Sequence, residues 1–541
     1  MLVVKRKTGH LSLFAAAVIA VMLGPSVVRA QRRSCESLSG LKLADVTIQS
    51  AKSTPAGKFA VPADGPDAPA QSFETPAFCR VRGIIKPTAD SDIRFEVWMP
   101  SADWNGRFVG AGNGGFAGSI NYGGLAVALR AGLASASTDT GHEASGIEAS
   151  WALGHPEKII DFGYRAIHLA AIAGKAIVTA FYGSAPKYSY FSSCSNGGRQ
   201  ALMEAQRFPQ DYNGIIAGAP ANYWTHLMAD AIWGAQALYS KPGSHFPASK
   251  LPAIAAGVLA SCDAADGVKD GIIRDPRQCH FRPDVLLCRG PETSACLTAP
   301  QVAALKKAYA GPVDSQGRQI FPGTMPGSEL GPNGWAAWIT GPAPNKKGAG
   351  FFFGNHFFSN MVFDDPNWDF RTFNFDTGVK RADKKMGRIL NATDPNLSAF
   401  ESRGGKLILY HGWADPAISA LNTVNYFNSI LNAMGREKTQ SFVRLYMVPG
   451  MQHCGGGPGP DSFGALPASD ADAQHSVFAA MEEWVEHGAA PSSIIATKYA
   501  ARGSERTAEM TRPLCPFPEV AEYKGKGDIH DAANFVCKLK P

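Results

Sequence analysis

The chain has 541 residues, 45% of them hydrophobic and 18% charged, with 57 Gly and 37 Pro. That is ample material for a large buried core, and too little charge for a disordered chain. The formal charge of +6 invites a nucleic-acid reading, but Lys5, Arg6, Lys7 and Arg29 all precede residue 31 without a balancing acid, and the remainder carries only +2, which removes it.

Residues 1–30 read as an export signal. Lys5, Arg6 and Lys7 form a basic start, Leu11 to Leu23 is an apolar run of 13 residues, and Val28-Arg29-Ala30 offers a cleavage site before Gln31. The run is shorter than the roughly 20 residues of a spanning helix. The expectation is a secreted or periplasmic protein with neither a membrane nor a nucleic-acid partner; its oligomeric state is left open. Ten cysteines follow the signal: Cys35, Cys79, Cys194, Cys262, Cys279, Cys288, Cys296, Cys454, Cys515 and Cys537. An even count behind an export signal predicts disulfides, and none of these cysteines has the paired spacing of a zinc site. Sequence order leaves the connectivity open, with Cys262–Cys279, Cys288–Cys296 and Cys515–Cys537 as local candidates.

In chain order, Ile93, Phe95 and Val97 alternate with polar residues and predict a strand that breaks at Pro100. After the turn Trp104-Asn105-Gly106, Arg107 to Gly110 is a second strand. It runs into Gly112-Asn113-Gly114-Gly115, which can present bare backbone N–H groups. Residues 157–183 carry helical spacing (Ile159, Ile160, Phe162, Ala166, Leu169, Ala170, Ile177). Tyr188 to Ser192 is a short aromatic strand, and Arg199 to Arg207 suits a helix stopped by Pro209. Between them lies Ser193-Cys194-Ser195-Asn196-Gly197-Gly198-Arg199. From about 222 to 400 the chain is rich in Gly, Pro and aromatics, holds four cysteines and lacks alternating strand–helix units. Strand texture returns at Lys406 to Tyr410 and at Phe442 to Val448, and Ala471 to His487 reads as a covering helix. No internal repeat is present.

A serine hydroxyl needs a histidine to take its proton and a carboxylate to orient that histidine. In an α/β-hydrolase they follow in the order Ser, acid, His, each on a loop after a strand. Ser195, Asp415 and His453 meet both conditions. The turn departs from G-x-S-x-G because Ser193 replaces the first glycine, so on its own it reads equally well as a Ser/Gly-rich loop. Cys194 precedes Ser195, however, and Cys454 follows His453. A disulfide between them would tie the two loops together.

With these motifs on the page, the chain resembles the tannase and feruloyl esterase family, which also holds terephthalate half-ester hydrolases. The resemblance rests on Cys194-Ser195-x-Gly197-Gly198-Arg199, His411-Gly412-x-x-Asp415 and His453-Cys454 with Gly455-Gly456-Gly457. Trp104 to Phe108, Gly112 to Gly115 and Asp365-Pro366-Asn367-Trp368-Asp369 extend it across most of the mature chain. It implies an α/β-hydrolase sheet with helices on both faces and a large inserted lid. The segments would be a signal peptide at 1–30, hydrolase domain at 31–221 and 401–541, and lid at 222–400. It also implies a Ser195–His453–Asp415 triad, an oxyanion site at the N–H groups of Asn196 and of Gly115 or Gly114, and disulfides Cys194–Cys454, Cys35–Cys79 and Cys515–Cys537, with two more within the lid.

Asp263, Asp266 and Asp270 place three carboxylates within eight residues, a pattern that suits either a solvated acidic turn or a hard cation. The spacing is not that of an EF-hand. The resemblance implies a structural calcium held by those three side chains and the carbonyls of Val268 and Ile272.

Trp335, Trp338, Phe351, Phe352, Phe353, Phe357, Phe358 and Trp368 crowd the insertion, either as lid core or as walls for an aromatic acyl group. From Gln319 to Phe370 there is no Arg, the residue expected to clamp a second carboxylate. The reading is therefore an esterase for ferulate-like or gallate-like esters. Terephthalate half-ester hydrolysis and a catalytically silent binding module are the alternatives. His411 ends a strand too close to Asp415 in sequence to be the base, and is expected to be structural.

Overall fold

The computed structural model describes residues 1–9, 33–62, 71–343, 346–500 and 507–539. The apolar run and cleavage site of the expected signal lie outside these residues. Nine strands build one mixed sheet in the order β1-β4-β5-β7-β6-β8-β9-β10-β11. β1 (Val46–Thr54), β4 (Phe78–Ile85), β5 (Ile93–Pro100) and β7 (Ala134–Thr138) pair antiparallel. From β7 onward, β6 (Arg107–Ala111), β8 (Tyr188–Cys194), β9 (Gly214–Gly218), β10 (Lys406–Gly412) and β11 (Val443–Val448) run parallel. Short hairpins lie outside the main sheet: β2 (Gly57–Ala60) with β3 (Ser72–Thr75), β12 (Ile494–Tyr499) with β13 (Ala508–Leu514), and β14 (Glu519–Tyr523) with β15 (Phe535–Leu539).

The parallel strands are apolar at successive positions because helices cover both faces. Phe191, Ile215, Leu407, Leu409 and Leu445 point to one face, where they pack with the helix Ala166–Tyr182 and with Leu202 and Met203. Their neighbours Tyr190, Ile216, Ile408, Tyr410 and Tyr446 point to the other, against Phe478, Met481 and Trp484. Burying each such large side chain contributes about 1.5–3 kcal/mol.

The chain leaves the main sheet after Gly218 and returns at Lys406. In between are the helices Trp224–Tyr239, Leu251–Cys262, Ala299–Ala310 and Ala349–His356, with irregular segments between them. This stretch has its own aromatic core, including Trp224, Phe357, Phe358, Met361 and Phe373, which meets Phe116 and Phe162 from the sheet side. The segment expected as one helix over 157–183 is interrupted by a π-turn at Asp161–Arg165. There Asp161 accepts from Arg165 at 2.5 Å. The last covering helix begins at Val477 rather than Ala471, because the Ser476 side chain caps it by accepting from Ala479 N–H.

Candidate active site

The turn after β8 holds Ser195 at φ 67° and ψ −127°, a conformation that a non-glycine residue adopts only at some cost, before the helix Asn196–Arg207 begins. Its N–H donates to Gly218 O at 2.9 Å, and its carbonyl accepts from Ala221 N and Arg199 N, both at 3.1 Å. A Cβ on Gly197 would lie 1.9 Å from Ser193 Oγ. Gly197 therefore makes room for the serine that replaces the usual first glycine.

His453 follows β11, and Asp415 follows β10. The two loops are joined by backbone bonds, Ala414 N to Met451 O at 3.0 Å and Trp413 N to Val448 O at 2.9 Å. His453 Nε2 lies 2.9 Å from Ser195 Oγ, and its Nδ1 lies 2.8 Å from Asp415 Oδ2. Nδ1 faces a carboxylate and so carries the proton, which leaves Nε2 to accept from the serine hydroxyl. Asp415 is fully buried. Its Oδ1 accepts from Ala417 N at 2.8 Å and Ile418 N at 3.0 Å, and Oδ2 also meets His411 Nε2 at 3.1 Å. Burial alone would raise the Asp415 carboxyl. The charge of His453 and the hydrogen bonds from His411 and His453 outweigh it and hold the carboxyl below the usual range. His411 is tied on its other side to Thr423 Oγ1 at 2.7 Å, so it orients Asp415 from behind, in keeping with a structural role.

All five disulfides connect as expected. Cys35–Cys79, Cys262–Cys279, Cys288–Cys296 and Cys515–Cys537 are joined, and Cys194–Cys454 links the two catalytic loops across 260 positions. Replacing both Cys194 and Cys454 by Ser is expected to lower kcat on an aryl ester by about 10–100-fold with little change in KM, because misplacing reacting groups by about 1 Å costs factors of that order. The thermal midpoint should fall as well, since closing so long a loop is worth up to about 5 kcal/mol in the chain-entropy model. Unchanged kinetics in the double variant would remove any positioning role for the bond.

Ser195 and His453 open on a cavity walled by Trp224, Leu227, Met228, Trp233, Trp338, Phe351 and Phe353. The expected aromatics divide between two roles. Trp338, Phe351 and Phe353 face the cavity, and the Trp338 ring stands edge-on to His453 at 4.9 Å. Trp335, Phe357 and Phe358 are fully buried, Trp368 packs against Phe358 and Phe363, and Phe352 lies against Phe351 away from the cavity lining. The helix Trp224–Tyr239 supplies the largest single share of the wall. Among the described lining residues there is no Arg or Lys, and one carboxyl, Asp230.

Gly115 borders the cavity beside Asn196, whereas Gly114 does not. Gly115 sits at φ 55°, and a Cβ there would lie 2.2 Å from Gly146 O, so the position requires glycine. Among the described residues, no backbone acceptor meets the N–H of Gly115 or of Asn196. Arg199 lies fully buried behind the turn. It donates to Asn196 Oδ1 and to the carbonyls of Phe162 and Gly163 at 2.7–3.1 Å, and burial lowers its guanidinium to about 9.

In the acidic loop, Asp263 Oδ1 accepts from Asp270 N and Gly271 N, Asp266 Oδ1 from Val268 N, and Asp270 Oδ1 from Ile272 N, at 3.0–3.2 Å. Asp266, Val268, Asp270 and Ile272 border one cavity with Arg274 and Arg512, and Arg512 Nη2 lies 2.8 Å from Asp270 Oδ2. Burial raises the Asp270 carboxyl, and the charges of Asp266 and Asp263 push it the same way against Arg512. These donors are hard oxygens of the kind calcium takes, but among the described residues their carboxylates do not converge into one ligand group, and Arg512 holds Asp270. Elsewhere, His168, Glu204 and Asp211 bring ligating atoms within 4.8 Å of one another, beside Lys175, whose ammonium donates to Asp211 O at 2.7 Å.

Residues 79–538 match the family model described as tannase and feruloyl esterase. An uncharacterized esterase of Xanthomonas campestris pv. campestris is 45% identical over 532 residues, 94% of this chain and 92% of that one. The mono(2-hydroxyethyl) terephthalate hydrolase of Piscinibacter sakaiensis is 34% identical over 551 residues, covering 88% and 87%. The crystal structure of feruloyl esterase B from Aspergillus oryzae superposes with a TM-score of 0.84 at 30% identity, covering 93% of this chain and 99% of that one.

Proposed function

The chain belongs to the tannase and feruloyl esterase family and is a carboxylic ester hydrolase; from that premise we propose that it hydrolyses esters of phenolic aromatic acids, of ferulate or gallate type, with Ser195 as nucleophile. The observation that carries this reading is the hydrogen-bonded line Ser195–His453–Asp415, opening on an aromatic cavity without a cation in its described walls. His453 Nε2 takes the proton as Ser195 Oγ attacks the ester carbonyl. The oxyanion is held by the N–H groups of Asn196 and Gly115, the glycine that borders the cavity. His453 then protonates the leaving alcohol, and a water activated by the same nitrogen releases the acid. Residues 222–400 act as the lid that encloses the acyl group.

A terephthalate half-ester would bring a second carboxylate into the cavity, where its charge would lack an Arg or Lys partner. The test is a hydrolysis panel of methyl ferulate, methyl gallate and mono(2-hydroxyethyl) terephthalate, with Ser195→Ala as control. Turnover of the phenolic esters at least tenfold faster is the expected result. Preference for the half-ester would replace this reading with the alternative, and hydrolysis of none of them would favour a silent binding module.

Calcium bound by the Asp263, Asp266 and Asp270 side chains with the Val268 and Ile272 carbonyls would hold the insertion's loop in shape and take no part in bond breaking. Chelation is expected to remove the metal and lower the thermal midpoint by about 5 °C or more, with little direct effect on chemistry. An unchanged midpoint and no metal content would end the calcium assignment. Among the described residues no helix is long and apolar enough to cross a membrane. The five disulfides support the reading of an exported protein.

A further inference from the structure

The helix Trp224–Tyr239 presents a stripe of Trp224, Leu227, Met228 and Ala231 to the cavity that holds Ser195 and His453. Its spacing is that of one helical face. Asp230 stands at the edge of this stripe and also lines the cavity. Among the described residues its carboxyl has no hydrogen-bond or ion-pair partner, and burial alone pushes it up to about 8. Carboxyls in apolar walls are costly unless something pairs with them. Among the described residues neither a side chain nor a cation does so here.

We infer that Asp230 is a specificity-determining residue, whose carboxyl pairs with a hydroxyl carried on the far end of the aromatic acyl group. This rests on the reading of the site as an aromatic-acid esterase, and names which aromatic acids it selects.

The placement suits that role. Ser195 O accepts from Ala221 N, and Trp224 begins the helix three residues later. At about 1.5 Å of rise per residue, Asp230 lies about 9 Å further along the axis. An aryl or arylvinyl acyl group is long enough to reach from the serine into this region, and an acetyl group is not. The walls between are aromatic and aliphatic, with Phe351 and Trp233 among them, so a phenol ring is buried while its hydroxyl meets the one carboxyl among the described lining residues. A phenolic O–H donates to the carboxyl oxygen whether or not the acid is protonated. A methyl ether in the same place has no proton to give and leaves the carboxyl unpaired. A site built around a buried polar group rejects an analogue that lacks the matching group far more strongly than it rejects a change in size.

The test compares methyl 4-hydroxycinnamate, methyl 4-methoxycinnamate and methyl cinnamate on the wild-type protein, Asp230→Asn and Asp230→Leu. The wild type is expected to favour the hydroxylated ester over the other two by about tenfold or more in kcat/KM. Asp230→Leu should abolish that preference, mainly through a higher KM for the hydroxylated ester. Asp230→Asn, which keeps an acceptor, should retain most of the preference. Asp230→Leu should melt at the same temperature or higher, since it removes an unpaired carboxyl; should it fail to fold, Asp230→Ala takes its place. A hydroxyl preference that survives in the apolar variant overturns the assignment of Asp230 and leaves the esterase reading intact. Failure of the wild type to hydrolyse any of the three esters overturns both.

Discussion

Ser195→Ala is expected to lower kcat on an aryl ester by about 10⁶-fold, His453→Ala by a similar factor, and the double variant by no more than either single change. The non-additivity is the informative part. Ser195 Oγ and His453 Nε2 lie 2.9 Å apart, and neither does its work without the other: without the base the hydroxyl stays protonated, and without the hydroxyl the base has nothing to activate. Substrate affinity should change little, because the cavity walls and the N–H groups of Asn196 and Gly115 remain. Steady-state kinetics of the three variants, with binding measured separately, check this. Losses that multiply in the double variant would mean that the two residues act in separate steps.

Asp415→Asn is expected to cost about 10⁴-fold in kcat with the fold intact. The carboxylate accepts four hydrogen bonds, two from histidine rings and two from backbone N–H groups. An amide offers only one acceptor atom. If its oxygen stays with Ala417 and Ile418, its NH₂ faces His453 Nδ1, stabilises the opposite tautomer and turns Nε2 into a donor toward Ser195. The negative charge that stabilises the imidazolium during attack is lost as well. Because the native carboxyl is held below the usual range, its ionised form also contributes stability. That contribution is present above the ordinary carboxylate range and is lost as pH falls through the native value. The Asn variant should therefore lose less stability than the parent on acidification, which thermal melts at neutral and acidic pH will read.

Much of the framework was legible in the sequence because it rests on local pattern. The runs at Tyr188–Ser192 and Lys406–Tyr410 read as strands, and Ser195, Asp415 and His453 each follow a strand in hydrolase order. Cys194 and Cys454 marked the two loops that meet. What escaped the sequence depends on tertiary placement. Trp338 and Trp335 are three residues apart, yet one faces the cavity and the other is sealed in the insertion's core. The spacing of Trp224, Leu227, Met228 and Ala231 is that of a helical face, but spacing does not say that the face meets the serine. Nothing in the sequence around Asp230 marks it out, and only the surrounding walls give it significance. Arg199 likewise reads as a helix-surface cation, whereas the fold buries it against main-chain carbonyls behind the nucleophile turn.

Ser195 is expected to form a covalent acyl-enzyme, and stoichiometric labelling with a serine-directed fluorophosphonate checks this at the residue itself. One adduct per chain is expected by intact mass, mapped to the peptide containing Ser195, blocked by prior incubation with a phenolic ester and absent in Ser195→Ala. A label on another residue, or a fully active protein after complete labelling, would contradict it.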